Sequence, residues 1–182
     1  MAVLTRGDLA SRLHTYCSRY AEEEGFREAF LRLLAVPESF YRTHFNPGHF
    51  TASAWVINPN RSRVLLLHHA KLRRWLQPGG HADGTADVPR VALRELAEET
   101  GLAGHLVTDH FFDLDIHTIP ARKSEPAHHH YDFRFLVIAE DQIPLSSNHE
   151  STELSWVALE RLEDYQPDAS MFRLRAKTHA LP

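Results

Sequence analysis

The chain has 182 residues, 43% of them hydrophobic and 24% charged. That is enough apolar material for one packed domain with a small extension, and the balance is ordinary for a soluble globular protein. A net charge of −4 argues against general binding to nucleic-acid backbones, though not against one phosphorylated small molecule; the single cysteine, Cys17, excludes an intramolecular disulfide. With no long apolar run at the N-terminus, the expected setting is cytoplasmic, without a membrane partner, as a monomer or homodimer.

Residues 8–24 read as a helix, with Asp8 as its cap, Leu9, Leu13, Tyr16 and Tyr20 at helical spacing, and Gly25 as its break. A second helix is expected over 28–35, with Phe30, Leu31 and Leu34 turned inward and Pro37 ending it. Residues 1–45 therefore read as an N-terminal helical extension, packed on the main domain or on a partner subunit, with Cys17 packed within its first helix. Asn46–His49 reads as a turn, 50–57 as a strand, 58–62 as a second turn and 63–69 as a buried strand. Further strands are expected over 105–119, 131–139 and 153–159, and a last helix over 168–178. Strands, helix, strands and helix in that order favour a mixed sheet between helices over residues 46–182.

The segment WLQPGGHADGTADVPRVALRELAEETGL, residues 75–102, holds the densest chemistry. Asp87 reads as an N-cap, Pro89 suits a first helical turn, and Gly101 suits the left-handed position that ends a helix. At helical periodicity Ala92, Leu93, Leu96 and Ala97 share one side, and Arg94, Glu95, Glu98 and Glu99 the other. Like charges at these spacings cost about 0.2–0.5 kcal/mol per pair. They also oppose the helix dipole. Read without metal this is a solvated acidic face. A hard divalent cation, which prefers oxygen ligands, relieves the repulsion. Gly79 and Gly80 just upstream permit close approach by a ligand, and a backbone carbonyl there is a further oxygen donor.

These residues resemble the Nudix box: a glycine, here Gly80, followed at the family's spacing by Arg94, Glu95, Leu96, Ala97, Glu98, Glu99, Thr100, Gly101 and Leu102. The surrounding strand pattern is similar to the family over residues 50–160. One position departs, since Ala86 stands where the family has its first glutamate. The outer support of the site then falls to Asp83 or Asp87, or to another arrangement of the loop.

The resemblance implies an α/β/α sandwich with a mixed sheet. It also implies a hydrolase that cleaves the pyrophosphate bond of a nucleoside diphosphate linked to another moiety. In such an enzyme metal-activated water attacks phosphorus, because the cation neutralises phosphate oxygens and acidifies water. The implied cofactor is Mg²⁺, with Mn²⁺ as the alternative. The expected metal ligands are Glu95, Glu98, Glu99 and the Gly79 carbonyl, with Arg94 orienting the glutamates. A glutamate from a loop before a late strand serves as base in some similar proteins; Glu150 occupies such a place, Glu153 is second choice, and a box glutamate is the remaining option.

Substrate contacts are expected from His81 in the glycine turn, from His130 in the HHHYDFRF segment, and from Lys71 and Trp75 just before the box. Trp55 and Trp156 are expected in the core. No HExxH or paired-cysteine pattern points to a zinc site. Two other readings remain. A non-catalytic domain that senses a nucleotide or sugar phosphate is supported by Ala86 and opposed by the intact carboxylates. An isopentenyl diphosphate isomerase would use a catalytic cysteine, for which Cys17 is poorly placed.

Overall fold

A computed structural model describes residues 3–122 and 125–182. Two helices open the chain, α1 (Arg6–Thr15) and α2 (Ala21–Leu34), followed by a 3₁₀ turn over Pro37–Phe40. The sequence-based expectation of one helix over 8–24 is corrected here. Thr5, not Asp8, is the N-cap; Asp8 is the third helical residue and completes a reciprocal capping box with Thr5. The helix stops at Thr15, and α2 runs through Gly25, where an added Cβ would meet nothing within 4 Å. An exposed glycine costs a helix only about 1 kcal/mol. Neighbouring Phe30, Leu33 and Leu34 offset that by packing inward. Cys17 lies between the two helices and is exposed rather than packed.

The strands are β1 (Gly48–Ile57), β2 (Arg63–His69), β3 (Arg74–Leu76), β4 (Gly79–His81), β5 (His105–Leu106), β6 (Asp113–Ile119), β7 (His128–Ile138) and β8 (Ser151–Ala158). Helix α3 (Val88–Thr100) follows β4, and a 3₁₀ stretch over Leu159–Tyr165 leads to α4 (Ala169–His179). They form one eight-stranded mixed sheet. Its central pair is β1 and β7, parallel from Gly48↔His129 to Ile57↔Ile138. β4 joins one end of β1 and β2 the other, and β6 and β5 pair antiparallel with β7. The continuous strand expected over 105–119 is in fact β5 and β6, separated by six residues.

Alternation along β1 and β7 divides the sheet into two faces. Phe50, Ala52, Ala54, Phe133 and Phe135 enter a core shared with Val91, Ala92 and Leu96 of α3 and with Leu9, Leu13, Phe30 and Leu33 of α1 and α2. The opposite parity begins at Trp55 and Leu136, which pack with Met171 and Leu174 of α4. Trp55 is fully buried and donates to Thr178 Oγ1 at 2.9 Å. Trp156 is half-buried against the first core.

Further along that second face the residues become polar, in register. Ser53, Arg134 and Asp113 form one row, Thr51, Asp132 and Asp115 the next, and His49, His130 and His117 the last. The ionic rows are buried and closed by α4. Arg134 meets Asp113, Asp115 and Asp132, while Arg173 meets Asp113 and Asp115. Burial works against the Asp115 carboxylate, but Arg134, His117 and Arg173 hold it below the ordinary carboxylate range.

Candidate active site

Helix α3 is placed by its apolar side: Val91, Ala92 and Leu96 are buried, and its end is set by Gly101 at φ 73°. Asp87 is the N-cap residue, but its side chain makes no capping hydrogen bond and instead pairs with Arg90 at 3.1 Å. The polar side faces β4. Here the glycine turn expected before the helix is itself a short strand, paired through Gly79↔Ser53, Gly80↔Ala52 and His81↔Thr51.

That pairing explains both glycines. A Cβ on Gly80 would lie 2.5 Å from the Glu95 Cδ, and one on Gly79 would lie 2.5 Å from the Ser53 Cβ and 2.9 Å from the Ala52 carbonyl oxygen. The Gly79 N–H donates to Glu99 Oε2 at 2.9 Å. Arg94 donates to Glu95 Oε1 at 2.6 Å and to the His81 carbonyl at 3.2 Å, and its Nε lies 3.9 Å from Glu98 Oε2. One guanidinium thus joins two box carboxylates to the backbone of β4.

The carboxylates differ in setting. Glu99 is 5% exposed, whereas the Glu98 side chain is largely in solvent. Burial pushes the Glu99 carboxyl up to about 8; the Gly79 N–H opposes this, and the negative fields of Glu95, Glu150 and Glu98 add to it. Burial also raises Glu95, with Arg94 pulling the other way. Glu150 is half-exposed in the loop before β8. Its N–H donates to Asn148 Oδ1 at 2.8 Å and its carbonyl accepts from the Ala70 N–H at 2.8 Å. Asn148 Nδ2 in turn donates to the Glu98 carbonyl at 3.2 Å, so this loop is tied to the end of α3.

Two tightly drawn carboxyl groups, a third in solvent beside them and a backbone that admits no side chain make an oxygen-rich cradle. Its donors suit a hard cation such as Mg²⁺, and its excess of like charge is of the kind such an ion relieves. Arg42 is a site neighbour that sequence reading missed. It holds Asp83 at 2.8 Å and 2.9 Å and contributes to the electrostatics of His81 and Asp83. Only the path of the chain between α2 and β1 brings it there.

Other expected residues are distributed differently. Neither Asp83 nor Asp87 takes the place left by Ala86 through a bond to the box carboxylates: Asp83 is bound by Arg42 and Asp87 by Arg90, and Ala86 packs against the first core. Lys71 is exposed in the turn after β2. Trp75 is half-buried, its ring 5.0 Å from Tyr165 and 5.3 Å from His68. Glu153 is exposed opposite His68 in the β2–β8 ladder. His81 and His130 meet in a cluster with His49, which the sequence reading did not single out. Its three members come from three strands, so no linear spacing reveals them.

The fold is a mixed sheet between helices, with a glutamate-bearing helix set against a glycine-bearing strand. The NUDIX domain matches residues 47–175, most of the chain, and the protein belongs to that family. A "probable DHNTP pyrophosphohydrolase" of Lactococcus lactis subsp. cremoris is 29% identical over 124 residues, covering 64% of this chain and 72% of the relative. Among solved structures, a NUDIX-family hydrolase from Clostridium perfringens aligns with a TM-score of 0.55 at 24% identity, over 74% of this chain and 98% of its own. The dihydroneopterin triphosphate pyrophosphohydrolase of E. coli aligns at 0.56 with 14% identity, over 70% and 92%. This chain is a Nudix pyrophosphohydrolase with an α/β/α fold. Among the described residues no helix is long and apolar enough to cross a membrane.

Proposed function

We propose that the enzyme hydrolyses a small phosphorylated substrate of the nucleoside-diphosphate-linked type and that it requires Mg²⁺, or Mn²⁺ in its place. The observation that carries this is the contact of β4 with α3, where Gly80 lies against the Glu95 carboxyl and Gly79 donates to Glu99. In this reading Glu95, Glu98, Glu99 and the Gly79 carbonyl hold the cation. When bound, it supplies charge neutralisation on the diphosphate and acidifies the attacking water.

The chain's own residues do the rest. Arg94 keeps Glu95 turned toward β4 through its two hydrogen bonds and steadies Glu98 electrostatically. Glu150, half in solvent and tied by its backbone to the Ala70 turn, accepts the proton lost by water. His81, His130, Lys71 and Trp75 contribute to the substrate side, Lys71 by attracting phosphate. Residues 1–45 act as an extension whose helices share the core of the hydrolase unit, 46–182.

A turnover screen with Mg²⁺ tests this. It would cover dihydroneopterin triphosphate, diadenosine tetraphosphate, nucleoside diphosphate sugars including ADP-ribose, NADH, coenzyme A and nucleoside triphosphates, each repeated with EDTA. EDTA-sensitive release of phosphate or pyrophosphate products is the expected result. Turnover that persists in EDTA would overturn the metal requirement, and tight binding without turnover would favour a sensing domain.

A further inference from the structure

We propose that His49, His81 and His130 form a second metal site, one that takes a divalent transition ion such as Zn²⁺ or Co²⁺ and leaves a coordination position open. The three side chains can each offer a ring nitrogen, and these atoms all lie within 4.8 Å of one another. The ring centroids are 4.8, 5.1 and 5.2 Å apart. The sheet brings them together. His49 and His130 are direct neighbours on the parallel β1 and β7, and His81 pairs with Thr51 two residues along β1, on the same face.

His49 is the independent sign of a ligand. It is 1% exposed, and its Nε2 is buried without a hydrogen-bond partner. Its Nδ1 lies 3.0 Å from the His44 carbonyl oxygen, to which a ring nitrogen can only donate. The proton therefore sits on Nδ1, and Nε2 presents a lone pair to the cluster. This is how metal-ligating imidazoles are held, with the far nitrogen donating to a carbonyl. A bare buried acceptor is otherwise destabilising, because it has lost its hydrogen bond to water. Among the described residues no side chain or backbone group hydrogen-bonds the rings of His81 and His130, which reach solvent. An imidazole ligates through the lone pair of its neutral form, and the strand register sets three such rings side by side.

The donor set separates this site from the carboxylates. Three imidazole nitrogens select zinc-like ions, whereas oxygen clusters select magnesium-like ones. The sites are also back to back: His81 points to the opposite face of β4 from Gly80, whose Cβ position abuts Glu95. Two further imidazoles border the cluster. His117, 5.3 Å from His130, is engaged with Asp115, and His128, 4.9 Å from His49, is engaged with the Pro126 carbonyl. His81 and His130 are only half-buried, which gives an ion an entry path and leaves room for water or a substrate oxygen.

The test uses the full chain, free of any affinity tag and stripped with EDTA, titrated with Co²⁺ in the absence of phosphates. One equivalent should bind with the strong visible absorption of a low-coordinate nitrogen site, and Zn²⁺ should displace it. His81→Ala and His130→Ala should each weaken Co²⁺ binding at least about 10–100-fold. Glu95→Gln/Glu98→Gln and the surface control His14→Ala/His110→Ala should leave the band in place. Absence of the band in the native chain, or a band lost with the glutamates and kept in His81→Ala, overturns the proposal. A zinc-soaked crystal decides independently of any variant. An anomalous peak among the three rings supports the site, and a peak only at the carboxylates sinks it.

Discussion

Glu99 shows how one residue's setting sets a pH response. A glutamate titrates near 4.5 in the unfolded chain, whereas in the native metal-free protein burial raises Glu99 to about 8. Between these values the native state keeps a proton that the unfolded chain has released, so stability falls as pH rises through that window. Glu99→Gln should therefore raise the melting temperature in EDTA at pH 8, on the order of a few kcal/mol of stability, and change it little at pH 5. Thermal melts at the two pH values check this. The depressed histidines have the opposite sign. His81 and His130 take up protons below pH 6.5 only when unfolded, so they remove stability as pH drops from 6.5 toward 4. Glu98 differs from Glu99 because its side chain is in solvent. Glu98→Gln should leave the fold and melting temperature unchanged yet lower turnover at least about 100-fold, measured at steady state on the substrate found by screening. Unchanged turnover would remove Glu98 from the mechanism.

Strand β4 and helix α3 act as one element, and their two glycines make different predictions. At Gly80 the obstacle to a Cβ is the far end of the Glu95 side chain, which can swing away. Gly80→Ala should fold normally but displace that carboxylate, lowering Mn²⁺ affinity at least about tenfold. At Gly79 the obstacle is the backbone of the buried β1. Gly79→Ala should cost about 1–3 kcal/mol of stability or more. Urea denaturation and a Mn²⁺ titration on both variants separate the two effects. Helix α3 was legible because its signals are local: an apolar side at 3.6-residue spacing, Pro89 in the first turn and Gly101 at the end. The N-terminal helices were less so. Gly25 and Asp8 looked decisive in sequence, but packing of Phe30 and Leu33 and the cap from Thr5 outweighed them.

Across the whole molecule, the buried ionic rows tie the sheet to α2 and α4. Asp113 is fully buried and faces Arg134, Arg173 and Lys177, and Lys177 also meets Glu23 of α2. Removing one member strands its partners in a medium that cannot solvate them, so Asp113→Ala should cost about 3–5 kcal/mol, read by urea denaturation. A cost below about 1 kcal/mol would mean that water reaches these groups. Nothing in the spacing of Asp113, Arg134, Arg173 and Lys177 announces the network. Features that depend on neighbours a few residues apart are readable from the chain alone: the helix with its glutamates, the glycines before it, most strand positions and the family. Features that depend on strand register between distant segments emerge only on folding: the meeting of His49, His81 and His130, the pairing of Arg42 with Asp83, and the ionic rows beneath α4. The physical reason is that helical periodicity and capping act within a few turns of chain, whereas the register of β1 against β4 and β7 is set by burial of the entire sheet.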